Sequence, residues 1–300
     1  MNTDHLENFE SYRKSFDREF FGWQTERYAE AASPLNKVIR YVLEGQGKRV
    51  RPILSMLSAE SVSNWRRGLL PGFSVEMTHI YSLVHDDLPC MDDDAMRRGR
   101  PTAHVVFDEA SALLAGDAIL ADSFALLVDS EQFKDPDAIF SPEQRLQMTA
   151  ELARAAGSNG MCRGQALDLH WTGKNGASKD TLDQLHHGKT GLLLGAACAM
   201  GAIAGGADSK AVEKFRLFGC KIGLAFQIID DLMDSNGQMG KTPGKDAASG
   251  KLTYLTHYSA DEALRRAKDL TSEAVRELES TGLQTENLIR FAMGLLDRTQ

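Results

Sequence analysis

The stretch "SKAVEKFRLFGCKIGLAFQIIDDLMD", residues 209–234, decides the fold class. Its apolar residues return at helical spacing and do not alternate, so it reads as a long helix with one buried stripe. Asp230, Asp231 and Asp234 interrupt the apolar run near its end. A helix turns about 100° per residue, which sets Asp230 and Asp234 about 40° apart on one face, one turn removed. That pair can share a cation.

The same spacing extends outward in both directions. It recurs in "ASPLNKVIRYVLEG", "RPILSMLSAESVSNW", "FSVEMTHIYSLVHDD", "DEASALLAGDAILADSFALLV", "EQRLQMTAELARAAG", "KDTLDQLHHGKTGLLLGAACAMGAIAG" and "ADEALRRAKDLTSEAVRELES". No stretch alternates as a strand, and Ser-Pro pairs at 33 and 141 mark helix starts. The expectation is an all-α chain. Connections are expected at "NWRRGLLPG" (from 64), "DSEQFKDPDAIFSPE" (129), "TGKNGASK" (172) and "NGQMGKTPGKDAASGK" (236), of which only the last is rich in cations. No linker, repeat or shift in composition divides the chain, so residues 1–300 are expected to form a single domain.

With 34 basic and 42 acidic residues the net charge is −8, which argues against a general affinity for nucleic acid or anionic membranes. Any anion must be bound locally. The start, "MNTDHLENFE", lacks the basic and apolar regions of a secretory signal, and Cys90, Cys162, Cys198 and Cys220 show no paired spacing. A cytoplasmic protein with reduced thiols is expected. Residues 190–207 contain no charge, but their Gly and Ala content suits a helix packed inside protein better than one spanning a membrane.

A second acidic cluster lies in "VHDDLPCMDDDAMRRGRPT", residues 84–102. Carboxylates about 4 Å apart repel by roughly 4 kcal/mol at an effective dielectric near 20, so a converging cluster needs a cation or stays splayed in water. Pro89 forbids a regular helix between Asp86 and Asp92, and a two-residue bulge at Leu88 and Pro89 would restore a one-turn relation between them. Hard oxygen ligands without paired His or Cys indicate Mg²⁺ or Mn²⁺ over zinc. Mg²⁺ takes few carboxylates and completes its shell with water and phosphate oxygens, so two aspartate clusters form a cradle for a diphosphate. Cations stand beside both: Arg97 and Arg98 after the first, Lys241 and Lys245 after the second, and Lys189 before the uncharged run. A further basic group, Lys48, Arg49 and Arg51 in "EGQGKRVRP", leads into a helix expected to begin at Pro52, which makes a second anion site.

In order along the chain, "GKRVRP", "HIYSLVHDDLPCMDDDAMRRGRPTAH", "LLAGDAIL", "GQALDL", "HHGKTG", "GLAFQIIDDLMD" and "GKTPGKD" resemble the trans-prenyltransferases of the short-chain isoprenyl diphosphate synthase family, from about residue 34 to the end. The likeness is greatest to bacterial farnesyl diphosphate synthases and the related geranylgeranyl enzymes. This resemblance implies helices around a deep central cavity, the isoprenoid synthase fold, in a homodimer. It implies head-to-tail condensation of isopentenyl diphosphate with an allylic diphosphate. Asp86, Asp92 and Asp230, with Asp168 as a further ligand, would hold three Mg²⁺ ions, or Mn²⁺, and Asp87, Asp231 and Asp234 would support that shell. Arg97, Lys189 and Lys241 would neutralise the allylic diphosphate, with Thr190 and Gln227 beside the reacting carbons. Lys48, Arg51, His79 and Arg98 would hold isopentenyl diphosphate. Tyr81 and Ser82, just upstream of Asp86, would form the floor that limits chain length, and a tyrosine there implies a fifteen-carbon product. Geranyl or geranylgeranyl diphosphate is the alternative product.

Two departures from the family pattern stand out: Arg163 in place of an expected glycine, and a short loop between Asp234 and Lys241. Residues 1–33 carry no family motif and would serve the dimer or cover the core. Other classes fit less well. His85 beside Asp86 lacks the further histidines of a metal phosphohydrolase, and a terpene cyclase would lack the second aspartate cluster and the "GKR" site. A non-catalytic partner subunit would have lost aspartates or lysines, and none is missing.

Overall fold

The computed structural model describes residues 9–29, 33–129, 133–235 and 250–296. Helices account for nearly all of its regular structure: α1 (Glu10–Arg27), α2 (Pro34–Leu43), α3 (Val50–Val62), α4 (Leu69–Asp86), the short α5 (Ala103–Val106), α6 (Glu109–Val128), α7 (Pro142–Ala156), α8 (Met161–Trp171), α9 (Lys179–His186), α10 (Leu192–Gly205), α11 (Ser209–Ser235), α12 (Ala260–Glu279) and α13 (Glu286–Leu296). Serine side chains cap α2, α7, α9 and α12 at Ser33, Ser141, Ser178 and Ser259, and Pro34 and Pro142 follow two of them at the first helical position.

α10 is the central helix. It is buried almost throughout and packs on α3, α7 and α11, while α4 pairs with α6 and α12 lies against α11. Its glycines make this possible: a Cβ at Gly201 would lie 2.2 Å from the Ser55 carbonyl oxygen, so α3 and α10 meet backbone to backbone. By length and composition two described helices could cross a membrane, but the apolar window of Lys179–Gly205 is 78% buried within the fold. The other, Glu109–Val128, has Asp117 and Asp122 along it and leaves Leu113 and Leu114 exposed.

Five local expectations are corrected. Residues 179–205 do not form one regular helix, because His187–Gly191 make a π-helical turn between α9 and α10. α3 begins at Val50, before Pro52, with Arg49 in the left-handed region at its start. The stretch from residue 64 is a 3₁₀ turn, Trp65–Gly68, running straight into α4. A two-residue antiparallel ladder, Met96–Arg97 with Arg100–Pro101, closes a tight turn where no strand was expected. Finally, α4 ends at Asp86 without a bulge. The turn after it folds back so that the Asp92 N–H donates to the Asp86 carbonyl at 2.8 Å, bringing the two aspartates together by another route.

Candidate functional site

A cavity of about 890 Å³ opens between α1, α3, α4, the π turn, α11 and α13. Lys48, Arg51, His79 and Arg98 line it, with Thr190, Phe226 and Gln227 in the same walls. Four residues expected to hold one diphosphate therefore share a single space with two expected beside the reacting carbons. Burial among arginines keeps His79 well below the usual histidine range, so its imidazole is uncharged. Burial also lowers Arg51, to about 10, and lowers Arg98, whose Nη1 donates to the Gln46 carbonyl at 3.0 Å. These crowded guanidinium groups concentrate positive charge on one wall of the cavity.

Lys189 and Thr190 stand on the π turn, a feature that often marks functional positions because it turns side chains out of helical register. What seats the turn is Gly164 of α8. A Cβ there would lie 2.1 Å from the Lys189 nitrogen, so only glycine lets the two backbones touch. In consequence Lys189 Nζ donates to Asp168 Oδ2 at 2.5 Å. Thr190 Oγ1 donates to Gln227 Oε1 at 3.2 Å, and Gln227 Nε2 to Asp231 Oδ1 at 3.1 Å, which joins the turn to α11. Arg163, the departure beside Gly164, is exposed and bonds Gln184 at 2.7 Å, so nothing at that position requires a glycine.

The aspartates divide into two kinds. Asp87 is buried and accepts from Arg97 Nε at 2.6 Å, and Arg97 also pairs with Asp94 at 3.6 Å. Asp231 is buried too, accepting the Tyr254 N–H at 2.8 Å, with the uncharged His186 ring 3.7 Å away and stacked on Tyr254. Both carboxylates are engaged by partners within the protein. Asp86 differs: among the described residues its carboxylate makes no hydrogen bond or ion pair, and burial, only partly offset by Lys189, pushes it up to about 6. Such a group favours a cation close by. Asp92 pairs with Lys251 at 3.5 Å, so the chain that leaves α11 after Asp234 returns to the first aspartate cluster. Sequence reasoning placed Lys251 only at the end of a basic loop, and nothing in its spacing assigns it to Asp92. Asp230 and Asp234 lie on α11, both partly exposed. Lys241 lies outside the described residues.

The donor set fits Mg²⁺. The carboxylates of Asp86, Asp92 and Asp230 are hard oxygen donors of the kind Mg²⁺ takes one or two at a time, completing its shell with phosphate oxygens and water. Tyr81 is buried, with its hydroxyl 3.8 Å from Cys162 Sγ and its ring edge-on to His85. The Ser82 hydroxyl bonds back to the His79 carbonyl at 2.8 Å. His85 Nε2 lies 3.1 Å from the Leu113 carbonyl and against Gly116, so its ring packs α4 onto α6.

Comparison with known proteins agrees with this geometry. A family model described as polyprenyl synthetase matches residues 32–290. The chain is 41% identical over 249 residues to a chloroplastic geranylgeranyl pyrophosphate synthase of Capsicum annuum, covering 82% of this chain and 66% of that protein. It is 38% identical over 291 residues to the farnesyl diphosphate synthase of Bacillus subtilis, covering 95% and 96%. A crystal structure of a Helicobacter pylori geranyltransferase, complexed with magnesium and isoprenyl diphosphate, superposes with a TM-score of 0.79 at 28% identity, covering 100% of this chain and 98% of that one.

Proposed function

Because the chain belongs to the polyprenyl synthetase family, we propose that it is a prenyltransferase joining isopentenyl diphosphate to dimethylallyl and then geranyl diphosphate, with farnesyl diphosphate as its main product. The observation that carries the reading is the shared cavity, whose lining includes Lys48, Arg51, His79 and Arg98 together with Thr190 and Gln227. One diphosphate would bind the cationic end. The other would bind where Asp86, Asp92, Asp168 and Asp230 hold Mg²⁺, with Lys189 and Lys241 adding charge and Asp234 supporting the shell.

Bound Mg²⁺ would neutralise the departing pyrophosphate and lower the barrier to breaking the allylic C–O bond. Lys189 has a second task, since in exchanging Asp168 for the diphosphate it frees a carboxylate and supplies a cation at the leaving oxygen. Thr190 Oγ1 and Gln227 Oε1 present oxygen dipoles to the allylic cation, and the isopentenyl double bond attacks it before a proton is lost to pyrophosphate. Phe226 in the wall helps keep out water, which would quench the cation to an alcohol. Arg97, bound to Asp87 and Asp94, would act on the allylic diphosphate through the field it exerts on Asp86.

A homodimer is part of the same reading. Val105, Val106, Leu113 and Leu114 are exposed on α5 and α6, an apolar face that a second copy would cover. The cytoplasm is kept as its compartment, supported by four free cysteines. Farnesyl over geranylgeranyl rests on Tyr81 alone, and relatives carry both names. The test is to incubate the protein with Mg²⁺, isopentenyl diphosphate and either dimethylallyl or geranyl diphosphate, then resolve the dephosphorylated products by length. A fifteen-carbon alcohol from both starters supports the whole reading, a twenty-carbon one keeps the chemistry and refutes the role of Tyr81, and no product at all refutes the reaction.

A further inference from the structure

We propose that Arg49 is a positioning residue for the isopentenyl diphosphate end of the cavity, locked between Asp17 of α1 and Glu76 of α4 so that Lys48 and Arg51 face the substrate. This inference rests on the reading of the cavity given above. The Arg49 side chain has no exposed surface, and its φ of 50° lies in the left-handed region, a strained conformation for a residue with a Cβ. Strain of that kind persists only where the surroundings over-determine it. Here Nε donates to Asp17 Oδ1 at 2.8 Å, Nη1 to Glu76 Oε1 at 2.8 Å and Nη2 to the Gly45 carbonyl at 2.9 Å. The rings of Phe16, Phe20 and Phe21 lie 5.7–5.8 Å from the guanidinium carbon. One planar fork thus ties together α1, α4 and the loop that precedes α3.

The lock has two effects on the site. Lys48 and Arg51 flank Arg49 and both line the cavity, so the backbone turn at Arg49 sets where their charges point. Glu76 borders the same cavity one turn before His79, and an unpaired carboxylate there would oppose an entering diphosphate. Arg49 cancels that charge at 2.8 Å and leaves the field of Lys48, Arg51 and Arg98 to act on substrate. Through Asp17, α1 becomes part of the second anion site, although the sequence of α1 carries no motif for one.

The experiment uses the full chain with Asp17→Asn and Arg49→Lys. The first removes a carboxylate at the edge of the lock, where the side chain is 19% exposed, and the second keeps the charge while losing the fork. KM is measured separately for isopentenyl and geranyl diphosphate. Binding of inorganic pyrophosphate is measured by calorimetry with Mg²⁺ chelated, which disables the metal-dependent site. The expected result is a rise of about tenfold in KM for isopentenyl diphosphate and a matching loss of pyrophosphate affinity, as a displacement near 1 Å of positioned charges would produce. KM for geranyl diphosphate and kcat stay within about twofold, and Asp17→Glu restores most of the loss. Unchanged pyrophosphate affinity, or equal losses at both substrates, overturns the proposal. If Arg49→Lys does not fold, Asp17→Asn decides. If the wild-type chain makes no product, the proposed reaction fails, and the pyrophosphate measurement still decides the role of Arg49.

Discussion

Gly164→Ala is the substitution on which the geometry of the π turn can be judged. The added Cβ would lie 2.1 Å from the Lys189 nitrogen, 2.6 Å from its Cα and 2.7 Å from the Gly188 carbonyl carbon. All three are backbone atoms, so no side chain can swing aside. Ordinary contact begins near 3.4 Å, and α8 must therefore withdraw from the turn by about 1.3 Å. That movement stretches the Lys189–Asp168 pair, now 2.5 Å, and shifts Thr190 against Gln227. A displacement of this size at reacting groups costs about 10²-fold, or about 2.7 kcal/mol in the activation barrier, so kcat/KM for the allylic diphosphate should fall by that factor. Overpacking should also cost about 1–3 kcal/mol of stability, read as a lowered Tm. Gly201→Ala is the control, since its Cβ would lie 2.2 Å from the Ser55 carbonyl oxygen, between α3 and α10. It should lower Tm comparably while leaving kcat/KM of the folded protein nearly intact. If Gly164→Ala keeps kcat/KM within threefold of wild type, the close approach of α8 does not set the position of Lys189, and the argument is wrong.

Tyr81→Ala should lengthen the product: each methylene buried is worth about 0.8 kcal/mol, so room for five more carbons favours extension by about 4 kcal/mol. Chain-length analysis that still finds only fifteen carbons would move the floor away from Tyr81. His79, held uncharged by burial, should act as a hydrogen-bond donor and not as a charge. His79→Gln should therefore raise KM for isopentenyl diphosphate far less than His79→Ala, whose loss of one bond to a charged group is worth about 1.5–3 kcal/mol; equal losses would contradict a neutral donor. His186 has its pKa lowered by burial from 6.5 to about 4, so the unfolded chain takes up the proton first, and this contribution to stability is present above pH 6.5 and lost as the pH falls toward 4. Denaturant melts should show His186→Phe, which keeps the stack on Tyr254, losing up to about 3 kcal/mol less than wild type across that window. Identical pH slopes for the two proteins would mean that His186 does not titrate in this way.

The helical class was legible because the longest buried stripes are aliphatic and recur at helical spacing, as in α4 and α11. Besides the four-residue α5, three helices escaped the same reading. In α8 the buried positions are Met161, Gly164 and Asp168, a face chosen for close approach and charge, and hydrophobic periodicity cannot see it. α1 buries Phe16, Phe20 and Gln24 between charged residues that meet Arg49 and the solvent, and its amphipathic signal is diluted accordingly. α13 carries a clear stripe of Leu288, Phe291, Ala292 and Leu295, but it is short and lies at the end of the chain, beyond the last motif. At the site, the residue types and their order were readable. The π turn was not, because it depends on Gly164 arriving from another helix.

Composition alone also cannot say which aspartate meets a cation, since every Asp in a cluster reads alike. Burial and partners separate them. Asp87 is neutralised by Arg97 and Asp168 by Lys189, while Asp231 accepts hydrogen bonds from Gln227 one turn before it on the same helix and from the Tyr254 backbone. Asp92 is tied to Lys251 at 3.5 Å. The Asp86 carboxylate has no such partner among the described residues, and burial raises its pKa. Metal and diphosphate arriving together would therefore do more than fill a space. They would bring a cation to Asp86 and draw Lys189 from Asp168, so substrate binding and assembly of the charge array would become one event. An allylic diphosphate bound here would then meet its full set of cations only together with metal, and premature ionisation would be avoided without a separate device.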